Sequence, residues 1–127
     1  MSCDSKIKSY ALPDISFVGG CTADFEFNLK NESGNPYNAE GFKAYLTVAP
    51  RRKKEVCFSL ECSLGENDDG SLSVLKTEIS PQETLNLEGE FIYQLTLINS
   101  ITKKVMPHLQ GRMFIGRNIN PELVLEG

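Results

Sequence analysis

The clearest strand pattern in this chain, around which the other segments are organised, is Leu85-Asn86-Leu87-Glu88-Gly89-Glu90-Phe91-Ile92-Tyr93-Gln94-Leu95-Thr96-Leu97. From Phe91 to Leu97 every second residue is apolar, and the residues between them are polar except for Ile92. Side chains of a β-strand alternate between two faces, so this pattern predicts a strand with one buried face. Because that face carries two aromatic and two leucine side chains, we expect this strand to be central in the sheet.

Six further segments resemble strands and are separated by turn residues. They are residues 15–18, 22–30, 42–48, 55–64, 71–76 and 105–117, the last one best defined from Arg112. Within 71–76 the inward residues are expected to be Leu72 and Val74. Ser80 is a suitable helix N-cap and Pro81 suits the first helical position, which predicts a short helical turn before the central strand. This order predicts an all-β, immunoglobulin-like Greek-key β-sandwich of about seven strands with one short helical turn.

The 127-residue length fits one domain. We expect this domain at 15–118, between an N-terminal arm at 1–14 and a C-terminal arm at 119–127. Unlike an antibody domain, the chain has no tryptophan and no cysteine on the inward face of 89–97. Phe91 stands where a tyrosine corner would have its hydroxyl, so the corner closes without that bond or Tyr93 supplies one.

Composition excludes several classes of protein. The formal net charge of −4 and a pI of about 5.0 argue against a nucleic-acid partner, since general nucleic-acid binders are usually basic. No apolar run approaches the roughly 18 residues of a membrane-spanning helix, so we expect no membrane partner. The first residues lack the apolar core of a secretory signal, which favours synthesis and folding in the cytoplasm.

The four cysteines do not form a disulfide framework. Cys57 and Cys62 are an odd number of residues apart in one predicted strand, so their side chains should point to opposite faces. We expect Cys21 and Cys62 to be small buried thiols. A bridge between Cys3 and Cys21 stays open as an alternative.

No catalytic or metal-binding constellation emerges from the sequence, and we predict no enzyme activity and no cofactor. His108 is the only histidine, and no serine or cysteine stands in a nucleophile motif. The acidic segment from Glu66 to Gly70 lacks EF-hand spacing; a solvated hairpin turn is the preferred interpretation, with a different calcium loop as the alternative.

Two segments are candidate partner-binding surfaces. The first is the basic tip Arg51-Arg52-Lys53-Lys54, which either holds an anion or an acidic neighbour, or keeps a hairpin soluble. The second is the apolar run Leu123-Val124-Leu125 in the C-terminal arm. This run either joins subunits of a homo-oligomer or folds back over an open end of the sandwich.

The order of these signals resembles the N-terminal immunoglobulin-like domain of phage baseplate upper proteins and related prophage tail proteins of Gram-positive bacteria. The resemblance covers residues 15–119. The residues that carry it are Phe25 to Lys30, Gly34 to Asn38, Gly41, Gly70, Ser80-Pro81, Thr84 to Gly89, Phe91 to Leu95, Gly111, Met113, Ile115 and Asn118-Ile119. It implies a structural component of the virion, assembled in the bacterial cytoplasm, that packs against other virion proteins and copies of itself without chemistry.

A carbohydrate- or receptor-binding module of a bacterial surface or phage adsorption apparatus is the alternative function. In that case a carbohydrate would be the partner, and Tyr10, Tyr37, Tyr45 and Tyr93 would be available to stack on sugars.

Overall fold

The computed structural model of the chain describes residues 12–31, 33–52, 55–106 and 109–126. These residues form seven strands and two short helices. In chain order they are β1 (Ile15–Val18), β2 (Ala23–Asn28), β3 (Phe42–Pro50), β4 (Phe58–Gly65), β5 (Val74–Ile79), α1 (Pro81–Thr84), β6 (Gly89–Asn99), β7 (Leu109–Gly116) and α2 (Glu122–Glu126).

The strands follow the order β1-β7-β6-β3-β4-β5-β2, and β4 passes from one layer of the sandwich to the other. The first part of β4 pairs with β3, and its last residues, Ser63 to Gly65, pair with β5. One layer therefore contains β1, β7, β6 and β3, and the other contains β5 and β2. Only the β1–β7 pairing among these described strands is parallel. This is the strand pairing of an immunoglobulin-like Greek-key sandwich, and the predicted fold class is confirmed.

The predicted central strand is β6, which lies between β7 and β3. Phe91, Tyr93, Leu95 and Leu97 are all buried on its inward face, as the alternation predicted. In the middle of the layer Leu95 lies opposite Leu46 of β3 and Leu109 of β7, and all three leucines are at most 1% exposed. The core is thus centred on this row of leucines.

The predicted inward face of the 71–76 strand was wrong for Leu72, which is half-buried and precedes the strand, whereas Val74 is buried as expected. The strand is β5, and its buried residues are Val74, Leu75, Thr77 and Ile79. Thr77 disguised the pattern, because a polar residue on the core face interrupts the apolar alternation. Its burial is tolerated because it hydrogen-bonds the buried thiol of Cys62.

Other strand limits also differ from the prediction, most clearly at β4 and β7. β4 begins at Phe58 rather than Glu55, and Val56 is 58% exposed in the connection before it. β7 lies within the predicted range 105–117 but begins at Leu109, before the best-defined part at Arg112. The beginning of β7 was not recognised in the sequence because Gly111 occupies an inward position without contributing an apolar side chain.

The short helical turn was predicted correctly at α1. Ser80 is its N-cap residue but makes no side-chain capping bond, and Glu83 N instead donates to the Ser80 carbonyl at 3.1 Å.

The Tyr93 hydroxyl donates to the Pro13 carbonyl. Tyr93 therefore anchors the segment before β1.

Both predicted arms contact the sandwich where they are described. Leu12 is buried, and its backbone N–H donates to the Gln110 carbonyl at 2.9 Å. In the C-terminal arm the chain forms α2, a helix that the sequence patterns had not predicted. No helix in the described ranges is both long and apolar enough to cross a membrane.

Candidate functional site

The two predicted partner-binding segments leave the sheet at the same end. β3 ends at Pro50, which lies opposite Phe91 near the start of β6. β7 ends at Gly116, directly after Ile115, which lies opposite Gly89. The basic tip and the C-terminal segment therefore emerge beside the first residues of β6. We call this surface the α2 end and define it as residues 18–22, 51–52, 55–57, 80–88 and 117–126.

The basic tip is anchored to β6 through Arg51. Its guanidinium Nη1 donates to Glu90 Oε2, and its backbone N–H donates to the Glu90 carbonyl at 3.3 Å. Arg52 is exposed beside it, whereas Lys53 and Lys54 lie outside the described residues. A cavity of about 310 Å³ is lined by Pro50, these two arginines and Glu90. The carboxylate of Glu90 neutralises the charge of Arg51. Among the described residues that line this cavity, Arg52 would therefore be the cation available to an anion.

The C-terminal apolar run divides its side chains between the domain and the outside. Val124 is half-buried, and its Cγ2 lies 3.4 Å from the position that a Cβ at Gly20 would occupy. Leu123 and Leu125 are 66% and 72% exposed. One side chain of the run therefore packs back on the sandwich, and the two leucines project away from it.

Two hydrogen bonds around Gly19 and Gly20, which we call the lock, hold this segment in place. The sequence patterns did not predict them. Gly20 N donates to Thr84 Oγ1, and Asn118 Nδ2 donates to the Gly19 carbonyl, both at 2.9 Å. Thr84 is fully buried, and a Cβ at Gly19 would lie 2.5 Å from its carbonyl oxygen. The turn after β1 is thus fixed between α1 and the C-terminal segment. The Gly19-Gly20 pair was the available sequence signal, although it gave no hint of its partners.

Exposed apolar side chains concentrate around this lock. Among the described residues, seven large hydrophobic side chains are more than half exposed, and five of these belong to the α2 end. Four lie on or beside the C-terminal segment: Val18, Ile119, Leu123 and Leu125. Val56 lies in the connection between β3 and β4, and β3 is separated from β7 by β6. Exposed apolar side chains grouped at one end of a domain favour an interface there.

Cys21, Cys57 and Cys62 are free thiols, and Cys3 lies outside the described residues, as does the possible Cys3–Cys21 bridge. Cys62 is buried as predicted, and its burial raises its pKa to about 11. Cys21 is only half-buried, so the prediction of a buried thiol was wrong there. Burial, with a smaller contribution from Glu55, also raises the pKa of Cys57. Raised pKa values keep Cys57 and Cys62 protonated at neutral pH, and the thiolate is the reactive form.

The acidic turn uses its side chains within the hairpin. Gly70 N donates to the Asn67 carbonyl at 2.9 Å, and Asp69 Oδ1 accepts bonds from the Ser71 N–H and hydroxyl. These bonds from Ser71 lower the pKa of Asp69. No group of three or more histidine, cysteine or acidic side chains suited to a metal occurs within the described ranges. His108 lies outside them.

The tyrosines offer less stacking surface than the sequence suggested. Tyr37 and Tyr93 are buried, and burial raises the pKa of Tyr37. Tyr45 is half-buried on the outer face of β3, while Tyr10 lies outside the described residues. The expectation that Tyr37 and Tyr93 could stack on sugars was therefore wrong.

Comparisons with known proteins leave the family open. No protein-family model and no curated protein matches the sequence. Among solved structures, the chain is similar to the natural killer cell receptor NKp44, described as a triggering partner in natural cytotoxicity. The identity is 13%, the TM-score is 0.49, and the match covers 85% of this chain and 100% of the receptor chain.

Proposed function

We propose that this domain is a non-enzymatic structural component of a phage or prophage tail or baseplate, and that it assembles with copies of itself and with other virion proteins through the α2 end. The location would be the virion, after assembly in the bacterial cytoplasm. The resemblance of residues 15–119 to baseplate upper proteins supplies the biological setting of this proposal. The surface of the domain supplies its physical basis.

The observation that carries the proposal is the exposure of Leu123 and Leu125 on an anchored segment. Asn118 and Val124 hold this segment against the turn at Gly19-Gly20, so the two leucines are presented in a fixed position. A pre-positioned side chain loses less conformational entropy on binding than one on a freely moving tail. Ile119 and Val18 extend the apolar surface beside it. These features favour a protein partner with a complementary apolar surface.

The carbohydrate-binding alternative is weaker at this end of the molecule. Tyr45 is the half-exposed tyrosine among the described residues, and it lies on the outer sheet face rather than at the α2 end. Protein–protein assembly needs no further residue than those already exposed there.

Replacing both exposed leucines by serine tests the assembly surface. Light scattering should show that the parent self-associates at high concentration and that the Leu123→Ser/Leu125→Ser variant has a smaller mass. The melting temperature should change little, because both side chains are already largely exposed in the single domain.

The matched control is Ile101→Ser/Val105→Ser, which removes two exposed apolar side chains from the turn at the opposite end. This control should keep the mass of the parent. A parent that stays monomeric, or an equal loss of mass in both variants, would contradict the assembly role of the α2 end.

A further inference from the structure

A second candidate site lies at the end of the sandwich opposite to the α2 end. A cavity of about 390 Å³ is lined by Lys43, Tyr45, Ile98, Ser100 and Lys103. Lys43 and Tyr45 belong to the outer face of β3, and Ile98 lies opposite Lys43 on β6. Lys103 comes from the turn that follows β6. The cavity therefore combines two sheet strands with one turn.

Both lysines in this cavity are exposed, and neither forms an ion pair with any carboxylate of the described ranges. The carboxylate nearest by register is Glu61, opposite Tyr45 on β4, and it does not line the cavity. The lining thus contains two cationic groups and no acidic one. Two lysines that line one cavity without a carboxylate in the lining favour an anionic ligand.

The backbone holds Lys103 in an unusual conformation. Its φ is +64°, which makes it the single non-glycine residue with a positive φ in the described ranges. Such a conformation costs a non-glycine residue free energy and favours glycine or asparagine. The turn is fixed by Asn99, whose Oδ1 accepts from the N–H groups of Ile101 and Thr102 at 2.9 Å and whose carbonyl accepts from Lys103 N at 2.9 Å. The turn therefore holds the backbone of Lys103 in place beside the cavity that this residue lines.

The remaining residues that line the cavity suit contact with the ring of a cyclic ligand. Tyr45 and Ile98 are half-buried and form an apolar wall on the outer face of β3 and β6. Ser100 is held at the rim because its hydroxyl donates to the Gly41 carbonyl at 2.8 Å, which leaves the lone pairs of that oxygen as acceptors. An aromatic face beside polar groups binds ligands that have one apolar and one polar side.

We propose that this cavity binds a sugar ring that carries an anionic group, with the anion between Lys43 and Lys103 and the ring against Tyr45 and Ile98. The shared chemistry is a phosphate, sulfate or carboxylate on a saccharide. This function goes beyond assembly and uses the opposite end of the domain, so either proposal can fail without the other.

Titration with three probes tests the site: glucose 6-phosphate, glucose and inorganic phosphate. In a two-dimensional NMR titration of the full chain, glucose 6-phosphate should give saturable shifts with a Kd of about 1 mM. The shifts should be centred on the amides of Lys43, Tyr45, Ile98 and Ser100. Glucose should bind more weakly, because it lacks the charge. Inorganic phosphate should bind more weakly as well, because it lacks the ring.

Charge-neutralising variants identify the residues. Lys43→Gln/Lys103→Gln should weaken glucose 6-phosphate binding by about tenfold or more, since both charge-assisted bonds are lost. Lys30→Gln/Lys76→Gln removes the same amount of charge outside the cavity and should bind like the parent. Equal weakening in both double variants would show a general charge effect and overturn the proposal. Absence of saturable binding by the parent to all three probes would overturn it too.

Discussion

Leu95→Asp is expected to leave the chain unfolded. Leu95 is completely buried in the middle of β6, between Leu46 and Leu109 on the neighbouring strands. An unpaired carboxylate at this position has only apolar side chains beside it in the row, and burying such a charge costs several kcal/mol. A domain of this size is stable by roughly 5–15 kcal/mol, so the loss removes most or all of its stability.

Circular dichroism and thermal melting measure this effect. The variant should show no cooperative transition, or one that is lowered far below that of the parent. Gln94→Asp is the matched control, because Gln94 is the adjacent residue on the outer face and is half-exposed, hydrogen-bonding the Gln110 side chain at 2.7 Å. It should cost about 1 kcal/mol. A normal melt for Leu95→Asp would show that the inward face of β6 has been assigned incorrectly.

Gly111→Ala is expected to destabilise the domain by about 3 kcal/mol, the upper part of the usual range for overpacking a core. A Cβ at this position would lie 2.7 Å from Cε1 and Cζ of Tyr93 and 2.8 Å from its hydroxyl oxygen. The Tyr93 ring has no room to withdraw, because it is fully buried, packs 5.8 Å from the ring of Phe27 and bonds the Pro13 carbonyl. Gly111 is therefore required by its neighbour rather than by its own backbone conformation.

A double-mutant cycle with Tyr93→Leu isolates this clash. Removing the ring makes space for the added methyl group, so Gly111→Ala should cost much less in the Tyr93→Leu background than in the parent. Gly116→Ala, on the same strand, is the control. The nearest atom to its added Cβ would be 3.7 Å away, and we expect a change within about 0.5 kcal/mol. Urea denaturation of the four proteins in the cycle and of the control gives these free energies of unfolding. Equal costs of Gly111→Ala in both backgrounds would contradict the proposed contact.

The sequence predicted the parts of the fold that depend on local alternation. The limits of β1 were predicted correctly. The inward face of β6 was predicted correctly as well, because none of its buried positions is polar. The helical turn at α1 was also predictable, since Ser80 and Pro81 mark its start. The inward face of β5 was predicted incorrectly because one of its buried positions is polar. Its core face includes Thr77, whose burial depends on a partner in another strand that local patterns do not show.

The arrangement of the candidate surfaces was not predictable in the same way. The lock joins Gly20 to Thr84 across 64 positions of sequence and Gly19 to Asn118 across 99 positions. No periodicity in the sequence links these residues. The sequence did identify the basic tip and the apolar run as separate segments, but their position at one end follows from the pairing of β3, β6 and β7. The cavity between Lys43 and Lys103 likewise depends on a turn bringing Lys103 over a strand pair.

If the domain is part of a phage or prophage tail, as we propose, the protein content of purified particles should show it. Particles should be induced from the bacterium that carries the gene, purified by density gradient and analysed by mass spectrometry. We expect the chain at a fixed ratio to the tail proteins, with antibodies against the domain labelling the tail in electron micrographs. Its presence in the cell lysate but absence from the purified particles would contradict a structural role in the virion.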